Sequence, residues 1–161
     1  MTSFSMETGR LRLRPYTVEA AEQVADGTPR RSSWSRGYPR ADDRDVARVF
    51  LSSPPTDPLF GPLQILLVDD EVVIGGIGFF GPPDETGTVG LGHGVAPEAE
   101  GHGYATEALR ALLHHGFADA RVRRVLADTA HDDVASQRVL EKVGLRRTFS
   151  DEKLHYHAIE G

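Results

Sequence analysis

The segment from Val95 to Glu107 reads Val-Ala-Pro-Glu-Ala-Glu-Gly-His-Gly-Tyr-Ala-Thr-Glu and has the clearest chemical meaning in the chain. Gly101 and Gly103 lead directly into a helix-forming run. The first N–H groups of a helix lack partners within the helix, and the helix dipole is positive there. Glycines let the backbone approach a bulky anion closely. The pattern therefore predicts a pyrophosphate cradle, although Gly-x-Gly alone is more often a plain strand-to-helix turn. The spacing of a nucleotide-hydrolysing P-loop or of a dinucleotide fingerprint is absent.

Two polar side chains near this segment are candidates for acid–base chemistry. His93 lies in the preceding strand, where a histidine of near-neutral pKa is a plausible base, and a packed or substrate-lining histidine is the alternative. Ser136 lies in a later helix, and its hydroxyl is predicted to point inward and to need a partner. A bond from Ser136 to the local backbone is the alternative. Ser136 shares its helix face with three apolar residues: Val139, Leu140 and Val143.

A strand–helix–strand unit from about residue 88 to about residue 129 would position His93 and the glycine segment. The spacing of apolar residues predicts a helix from Tyr104 to about Phe117, and a second helix from Asp133 to Val143 that Gly144 closes. Asp133 is also a suitable N-cap. The preceding strand, 88–95, has glycine at alternate positions, which predicts one bare face for close approach of a ligand: Gly90, Gly92 and Gly94. The order of elements predicts a mixed α+β fold.

Composition and charge exclude several classes of protein. The chain has 161 residues, no cysteine and a net charge of −6 at pH 7. The length predicts one domain, residues 1–161, with a core from about 8 to about 160. Without cysteine there is no disulfide framework, thiolate metal site or Cys nucleophile, and we expect no metal despite the spacing of His114-His115 and His155-x-His157. The acidic charge argues against nucleic acid.

No apolar run is long enough to span a bilayer; the longest, Ile65 to Val68, has four residues. Residues Met1 to Gly9 lack the pattern of a secretory signal. The sequence therefore predicts a cytoplasmic protein with no membrane partner.

The glycine segment and three further blocks resemble the GNAT acetyltransferases. Glu100-Gly-His-Gly-Tyr-Ala105 is similar to motif A, whose pattern is Gln/Arg-x-x-Gly-x-Gly/Ala. Three blocks resemble the first strand, the central hairpin and motif B of the branch that contains ribosomal-protein-alanine N-acetyltransferases: Thr8 to Pro15, Val73 to Phe79 and Asp133 to Leu145. The matches are in order and span nearly the whole chain.

The resemblance implies a GNAT-like fold: a mostly antiparallel twisted sheet of about six to seven strands with one splayed parallel pair, flanked by about four helices. Acetyl-CoA is the implied co-substrate, with its pantetheine arm between strands 88–95 and 125–129. A direct transfer of acetyl to a primary amine follows, on a protein N-terminus or a small molecule, and a homodimer is common in the family. The implied coenzyme contacts are Val95, Gly101, His102, Gly103, Tyr104, Ala105, Thr106, Asp133 and Ser136.

The resemblance also implies roles in catalysis and acceptor binding. Ser136 would protonate the thiolate, since Leu140 occupies the position of the tyrosine that many relatives use. Gly90 replaces an acidic residue, which leaves His93 as the candidate base and as part of the acceptor site. Trp34 and Tyr38 would line that site. Asp133 and Glu100 depart from the usual Asn and Gln/Arg and put their coenzyme contacts in doubt.

Two other functions remain open on the sequence. A catalytically weak acyl-CoA-binding sensor or regulatory protein is compatible with the missing tyrosine and carboxylate. A nucleotide-binding domain that uses the same glycine loop is the third.

Overall fold

The structure of the protein, a computed structural model, describes residues 5–161. Residues 1–4, which the sequence assigns to the same domain, lie outside the described residues. In chain order the elements are β1 (Met6–Glu7), β2 (Leu11–Pro15), α1 (Val18–Asp26), α2 (Ala41–Ser52), β3 (Pro62–Leu67), β4 (Val73–Phe79), β5 (Thr88–Val95), α3 (Tyr104–Ala118), β6 (Arg124–Ala130), α4 (Val134–Lys142), β7 (Arg146–Ser150) and β8 (Leu154–Glu160).

All strands join one sheet in the order β1-β2-β3-β4-β5-β6-β8-β7. Every pair of neighbours is antiparallel except β5 and β6, which are parallel. The mixed α+β class, the parallel pair and the four α-helices are confirmed. Within residues 5–161 the sheet has eight strands rather than six or seven, because Met6 and Glu7 pair with Leu13 and Arg12. Two residues are too few for an alternating pattern to reveal a strand.

The sheet separates two apolar clusters. Ile65 and Leu66 are consecutive in β3, so their side chains point to opposite faces. Ile65 packs with Leu109 and Leu112 of α3 and with Leu140 of α4. We call this side of the sheet the α3 face. On the other side, Leu66 packs in a second cluster, whose members on α1 and α2 are Ala21, Val24, Ala47 and Phe50. We call this side the α2 face.

Local signals in the sequence set the ends of the helices. The Thr17 side chain accepts a hydrogen bond from the Ala20 N–H and caps α1. The Asp133 side chain accepts from the Ser136 N–H and caps α4. Gly144 follows α4 with φ of +103°, a conformation that glycine adopts at little cost. The predicted caps are confirmed, with Asp133 preceding the helix rather than opening it.

Candidate active site

Strands β5 and β6 separate after a short common ladder. Beyond three register pairs, β5 continues to Val95 and β6 continues to Ala130 without further pairing; the pairs are Thr88–Arg124, Val89–Val125 and Gly90–Leu126. The Phe80 N–H donates to the Gly90 carbonyl at 2.8 Å. Even-numbered residues of β5 thus turn their backbone groups toward β4, and His93 and Val95 turn theirs toward the opening. No strand faces these groups, so an extended ligand can bond to them.

The start of α3 stands at the end of this opening. Gly101 and Gly103 have φ of +81° and +78°, which side chains other than glycine rarely adopt. The first helical N–H with a backbone acceptor is that of Glu107, bonded to the Gly103 carbonyl at 3.0 Å. Among residues 5–161, no acceptor is found for the N–H groups of residues 101–106. Six unsatisfied donors at a positive helix end form an anion cradle.

Arg10, the residue before β2, holds this loop in place. Its Nε donates to Glu107 Oε1 at 2.7 Å, and its Nη1 donates to the His102 carbonyl at 2.9 Å. The Glu107 carboxylate also accepts from the Thr8 hydroxyl. The guanidinium lies 4.5 Å from the centre of the Tyr104 ring, so it adds positive charge beside the cradle. A surface cavity of about 690 Å³ borders the helix, and its lining includes three cations, Arg10, Arg110 and Lys142, and two carboxylates, Glu7 and Glu107.

The alternating glycines of β5 lie on the α2 face, and they are not bare as the sequence predicts. A Cβ at Gly92 would lie 2.6 Å from Phe80 Cζ, and a Cβ at Gly94 would overlap the Arg40 guanidinium. Phe80 follows β4 and is 69% exposed. The absence of side chains at Gly92 and Gly94 thus leaves room for Phe80, which follows β4, and for Arg40, which precedes α2. The spacing of the glycines along β5 does not show which side chains pack against this face of the strand.

Arg40 is held over Gly94 by a buried carboxylate. Its Nε and Nη2 each donate to Asp43 at 3.0 Å, a bidentate arrangement that fixes the plane of the guanidinium. The Asp43 side chain is only 3% exposed. Asp43 itself fits because Gly76, the register partner of Gly94 on β4, has no side chain. Two paired glycines thus form a depression for an ion pair beside the opening.

His93 points to the α3 face, opposite to Phe80 and Arg40. Its register partner is Ile77 of the first cluster, and neighbouring residues on a strand alternate in direction. Burial lowers the pKa of His93 to about 4; Asp133 opposes this shift and Arg40 adds to it. The ring is therefore neutral at neutral pH and is a weak base. His93 lies beside the opening, but on the side away from α2.

Replacing His93 by glutamine is expected to make the protein less sensitive to acid. The pKa of a histidine in the unfolded chain is about 6.5, whereas the pKa of His93 in the folded protein is about 4. Between these values only the unfolded state binds the proton, so stability falls as pH falls, by at most about 1.4 kcal/mol per pH unit. Urea midpoints of both proteins at about pH 7 and about pH 5 measure this. Equal losses in the two proteins would contradict the assignment.

Ser136 is half-buried at the start of α4, rather than fully buried as its position on the apolar face predicts. The fully buried residues of α4 are Gln137 and Leu140. The row of buried side chains on this helix therefore begins at Gln137, one residue after Ser136. Gln137 donates to the carbonyls of Ala130 and His131 at 2.9 and 3.1 Å and ties α4 to the end of β6. Ser136 is left at the edge of the packed stripe.

Trp34 and Tyr38 lie within the second cluster. Trp34 is 7% exposed and Tyr38 is fully buried. The Tyr38 hydroxyl accepts from Gln64 Nε2 at 3.1 Å, and the two rings meet edge to face with centroids 5.9 Å apart. Both side chains are buried in the cluster between the sheet and helices α1 and α2, and their role in acceptor binding stays a prediction. Residues between elements have no periodicity from which burial can be read.

Within residues 5–161 no group of three or more His, Asp or Glu side chains is placed to hold a metal ion. The His157 ring is fully buried and bonds to the Thr129 hydroxyl at 2.9 Å, and the His155 ring stacks on His131 with centroids 4.2 Å apart. In the same part of the chain, no helix is both long enough and apolar enough to cross a membrane.

Four residues of this region are not among the sequence candidates: Arg10, Arg40, Phe80 and Asp128. The first strand block contains Arg10, and its position facing Glu107 depends on tertiary contacts. Arg40 and Phe80 reach β5 from other elements. A signal does exist for Asp128, because it is the polar member of an alternating run with buried Ala127 and Thr129.

Comparison with known proteins gives three kinds of similarity. The sequence model of the acetyltransferase (GNAT) domain matches residues 10–146. The chain is 35% identical over 80 residues to a Bacillus subtilis protein named uncharacterized N-acetyltransferase YjdG; this covers 50% of the chain and 48% of YjdG. The chain thus spans about half the length of this curated relative.

Two solved structures have a similar fold. One is titled a putative ribosomal-protein-serine acetyltransferase from Vibrio cholerae, with a TM-score of 0.68 and 17% identity over 98% of each chain. The other is the microcin C7 self-immunity acetyltransferase MccE in complex with acetyl-CoA and AMP. Its TM-score is 0.70, with 13% identity over 95% of this chain and 93% of that chain. At these identities the likeness concerns the fold.

Proposed function

The chain belongs to the GNAT acetyltransferase family, and we propose that it transfers acetyl from acetyl-CoA directly to a primary amine. The observation that carries the proposal is the combination of the open β5 edge with the donor-rich start of α3. An acyl-CoA has an amide-bearing arm and a pyrophosphate. These are the two chemical groups that a free strand edge and an anion cradle can bind. The solved complex of MccE, which has this fold, contains acetyl-CoA.

The residues of the chain fit such a ligand. The His93 and Val95 backbone groups would bond to the arm, and the N–H groups of residues 101–106 would bond to the pyrophosphate. Gly101, Gly103, His102, Tyr104, Ala105 and Thr106 supply those donors. Arg110 and Lys142 line the adjacent cavity and attract a polyanion, whereas the charge of Arg10 is offset by its pair with Glu107. Asp133 caps α4 and therefore has its side-chain oxygen already engaged.

Acetyl-CoA supplies a thioester whose carbonyl carbon can accept an amine nitrogen. The protein has three tasks: to orient the two reactants, to stabilise the charge that builds on the carbonyl oxygen, and to move protons. The backbone N–H groups beside the opening are suited to the second task. Ser136 lies in the first turn of α4, which Gln137 ties to the end of β6, and we propose the Ser136 hydroxyl as proton donor to the departing sulfur.

Replacing Ser136 by alanine is expected to lower the turnover number about tenfold or more, with little change in acetyl-CoA affinity. The hydroxyl would act on the leaving sulfur and would contribute little to binding of the phosphates. Turnover is measured from released CoA, and affinity is measured by calorimetry. Ser52→Ala, at an exposed position at the end of α2, is the matched control and should leave both values unchanged. A turnover number equal to that of the wild type would remove Ser136 from the mechanism.

An amine panel tests the proposed function directly. Peptide N-termini, polyamines, amino acids and aminoglycosides are offered with acetyl-CoA, and free CoA is measured. Release of CoA that depends on one amine class is the expected result and identifies the acceptor. Tight acetyl-CoA binding without transfer to any amine would instead identify an acyl-CoA sensor. Stronger thermal stabilisation by ATP than by acetyl-CoA would favour a nucleotide-binding domain.

A further inference from the structure

Asp128 is a carboxylate at the β5–β6 opening that no step above uses. It lies on β6, two residues beyond Leu126, where the ladder with β5 ends. Its neighbours Ala127 and Thr129 are buried, with Ala127 in the first cluster on the α3 face. Because side chains alternate along a strand, Asp128 points to the α2 face. It is exposed there, on the same side of the sheet as Phe80 and Arg40.

The surroundings of Asp128 leave its carboxylate available. No ion pair within 4.0 Å is found for it among the described residues. On β5 the facing positions are glycines. On β8 its register partner is Tyr156, whose hydroxyl donates to Asp151 at 2.7 Å. Charged groups on the same face include Arg146 of β7, the pair of Arg124 on β6 with Glu160 on β8, Asp151 bonded to Tyr156, and, at the start of α2, Arg40 with Asp42 and Asp43.

The other titratable groups at the opening are committed or face away. Asp43 is buried in its pair with Arg40. Asp133 accepts the Ser136 N–H at 3.1 Å as the cap of α4. His93 lies on the α3 face, where the α3 cradle also stands. Of these groups only Asp128 combines an exposed carboxylate, the α2 face and a position on a strand that borders the opening.

We propose that Asp128 binds the ammonium group of the acceptor and accepts its proton, with the acceptor entering from the α2 face. This rests on the proposed acetyl transfer. One N–H proton of the ammonium passes to the Asp128 carboxylate and from there to water. The freed nitrogen lone pair forms the N–C bond with the thioester carbon, and the C–S bond breaks with its electron pair on sulfur. The second nitrogen proton is lost as the amide forms, and the sulfur takes up a proton.

The site also specifies the class of acceptor. A carboxylate at the mouth, with the exposed Phe80 ring and the Phe149–Tyr156 pair on the same face, suits a primary ammonium attached to an apolar or aromatic group. Phe149 is 61% exposed, and its ring centroid lies 5.5 Å from that of Tyr156. An acceptor with a negative charge next to its amine would be repelled by Asp128.

The variant Asp128→Asn tests the proposal because it keeps the shape and removes the proton acceptor. With the best alkylamine of the panel, we expect kcat/KM to fall about a hundredfold near neutral pH and to recover as pH rises. With hydroxylamine, which is already neutral at that pH, the loss should stay within about threefold after subtraction of the uncatalysed reaction. Asp128→Glu should restore part of the activity. Acetyl-CoA affinity, measured by calorimetry, should not change.

Asp132→Asn is the matched control, since Asp132 is an exposed carboxylate just beyond β6, and it should behave as the wild type. If the wild type transfers acetyl and Asp128→Asn matches it, this inference is wrong and the proposed function stands. A raised KM with unchanged kcat and an unchanged pH profile would reduce Asp128 to attraction of the amine and overturn its role in proton transfer. If no amine reacts with the wild type, the proposed function is wrong, and this inference, which depends on it, is wrong as well.

Discussion

Replacing Gly103 by tryptophan is expected to weaken acetyl-CoA binding at least about a hundredfold while the fold persists. Gly103 is the N-cap of α3 and has φ of +78°, so any side chain there disturbs the backbone that carries the free N–H groups. Hydrogen bonds to charged groups contribute about 1.5–3 kcal/mol each, and the loss of two accounts for the expected change. Titration calorimetry with acetyl-CoA measures the affinity.

A matched variant separates the cradle from backbone strain. Gly81 also has a positive φ, +88°, and a Cβ there would meet no atom within 4 Å. Gly81→Trp therefore imposes similar strain away from α3, and acetyl-CoA affinity should stay close to that of the wild type. Circular dichroism checks that both variants fold. Unchanged affinity in folded Gly103→Trp would show that the start of α3 does not hold the phosphates.

Replacing Asp43 by alanine is expected to destabilise the protein by about 3 kcal/mol. The change leaves the Arg40 guanidinium against Gly94 without its partner, and breaking a buried ion pair from one side typically costs about 3–5 kcal/mol. We take the low end because the Arg40 side chain is 26% exposed. The backbone N–H of Arg40 also loses its bond to Asp43 Oδ2, 2.9 Å long. Urea unfolding measures the free energy of unfolding.

The same helix offers the control. Asp45 and Arg48 form a second pair three residues apart on α2, with a distance of 2.9 Å, but their side chains are 71% and 53% exposed. Exposed pairs contribute about 0–1 kcal/mol, so Asp45→Ala should change stability little. Similar effects of the two substitutions would mean that Asp43 and Arg40 do not form a buried pair in solution.

Local patterns predicted the framework of the site because they depend on a few adjacent residues. Gly101 and Gly103 marked the start of α3, Asp133 and Gly144 bounded α4, and apolar spacing located the helix from Tyr104. Each of these signals acts through its own backbone hydrogen bonds. The resemblance of ordered motifs to a known family supplied the rest of the fold, including the parallel pair of strands.

Contacts between distant segments could not be predicted in the same way. Gly94 and Arg40 are 54 positions apart, and nothing in the glycine spacing shows that a guanidinium will occupy the space. Trp34 and Tyr38 sit in an irregular segment, where burial depends on how α1 and α2 dock. The direction of the His93 side chain could have been predicted from the sequence. His93 has an odd number and the glycines of β5 have even numbers, so they point to opposite faces of the sheet.

The free edge of β5 and the cradle at α3 share one property: their donors and acceptors belong to the main chain, which is common to all amino acids. Substitutions that preserve the path of the chain therefore leave this machinery in place, and only a few glycines are tied to it. Most side chains around the opening can therefore be substituted in the course of evolution. A chain with 17% identity to the Vibrio cholerae protein can thus keep the same architecture, and the side chains around the opening can change without rebuilding its main-chain donors and acceptors.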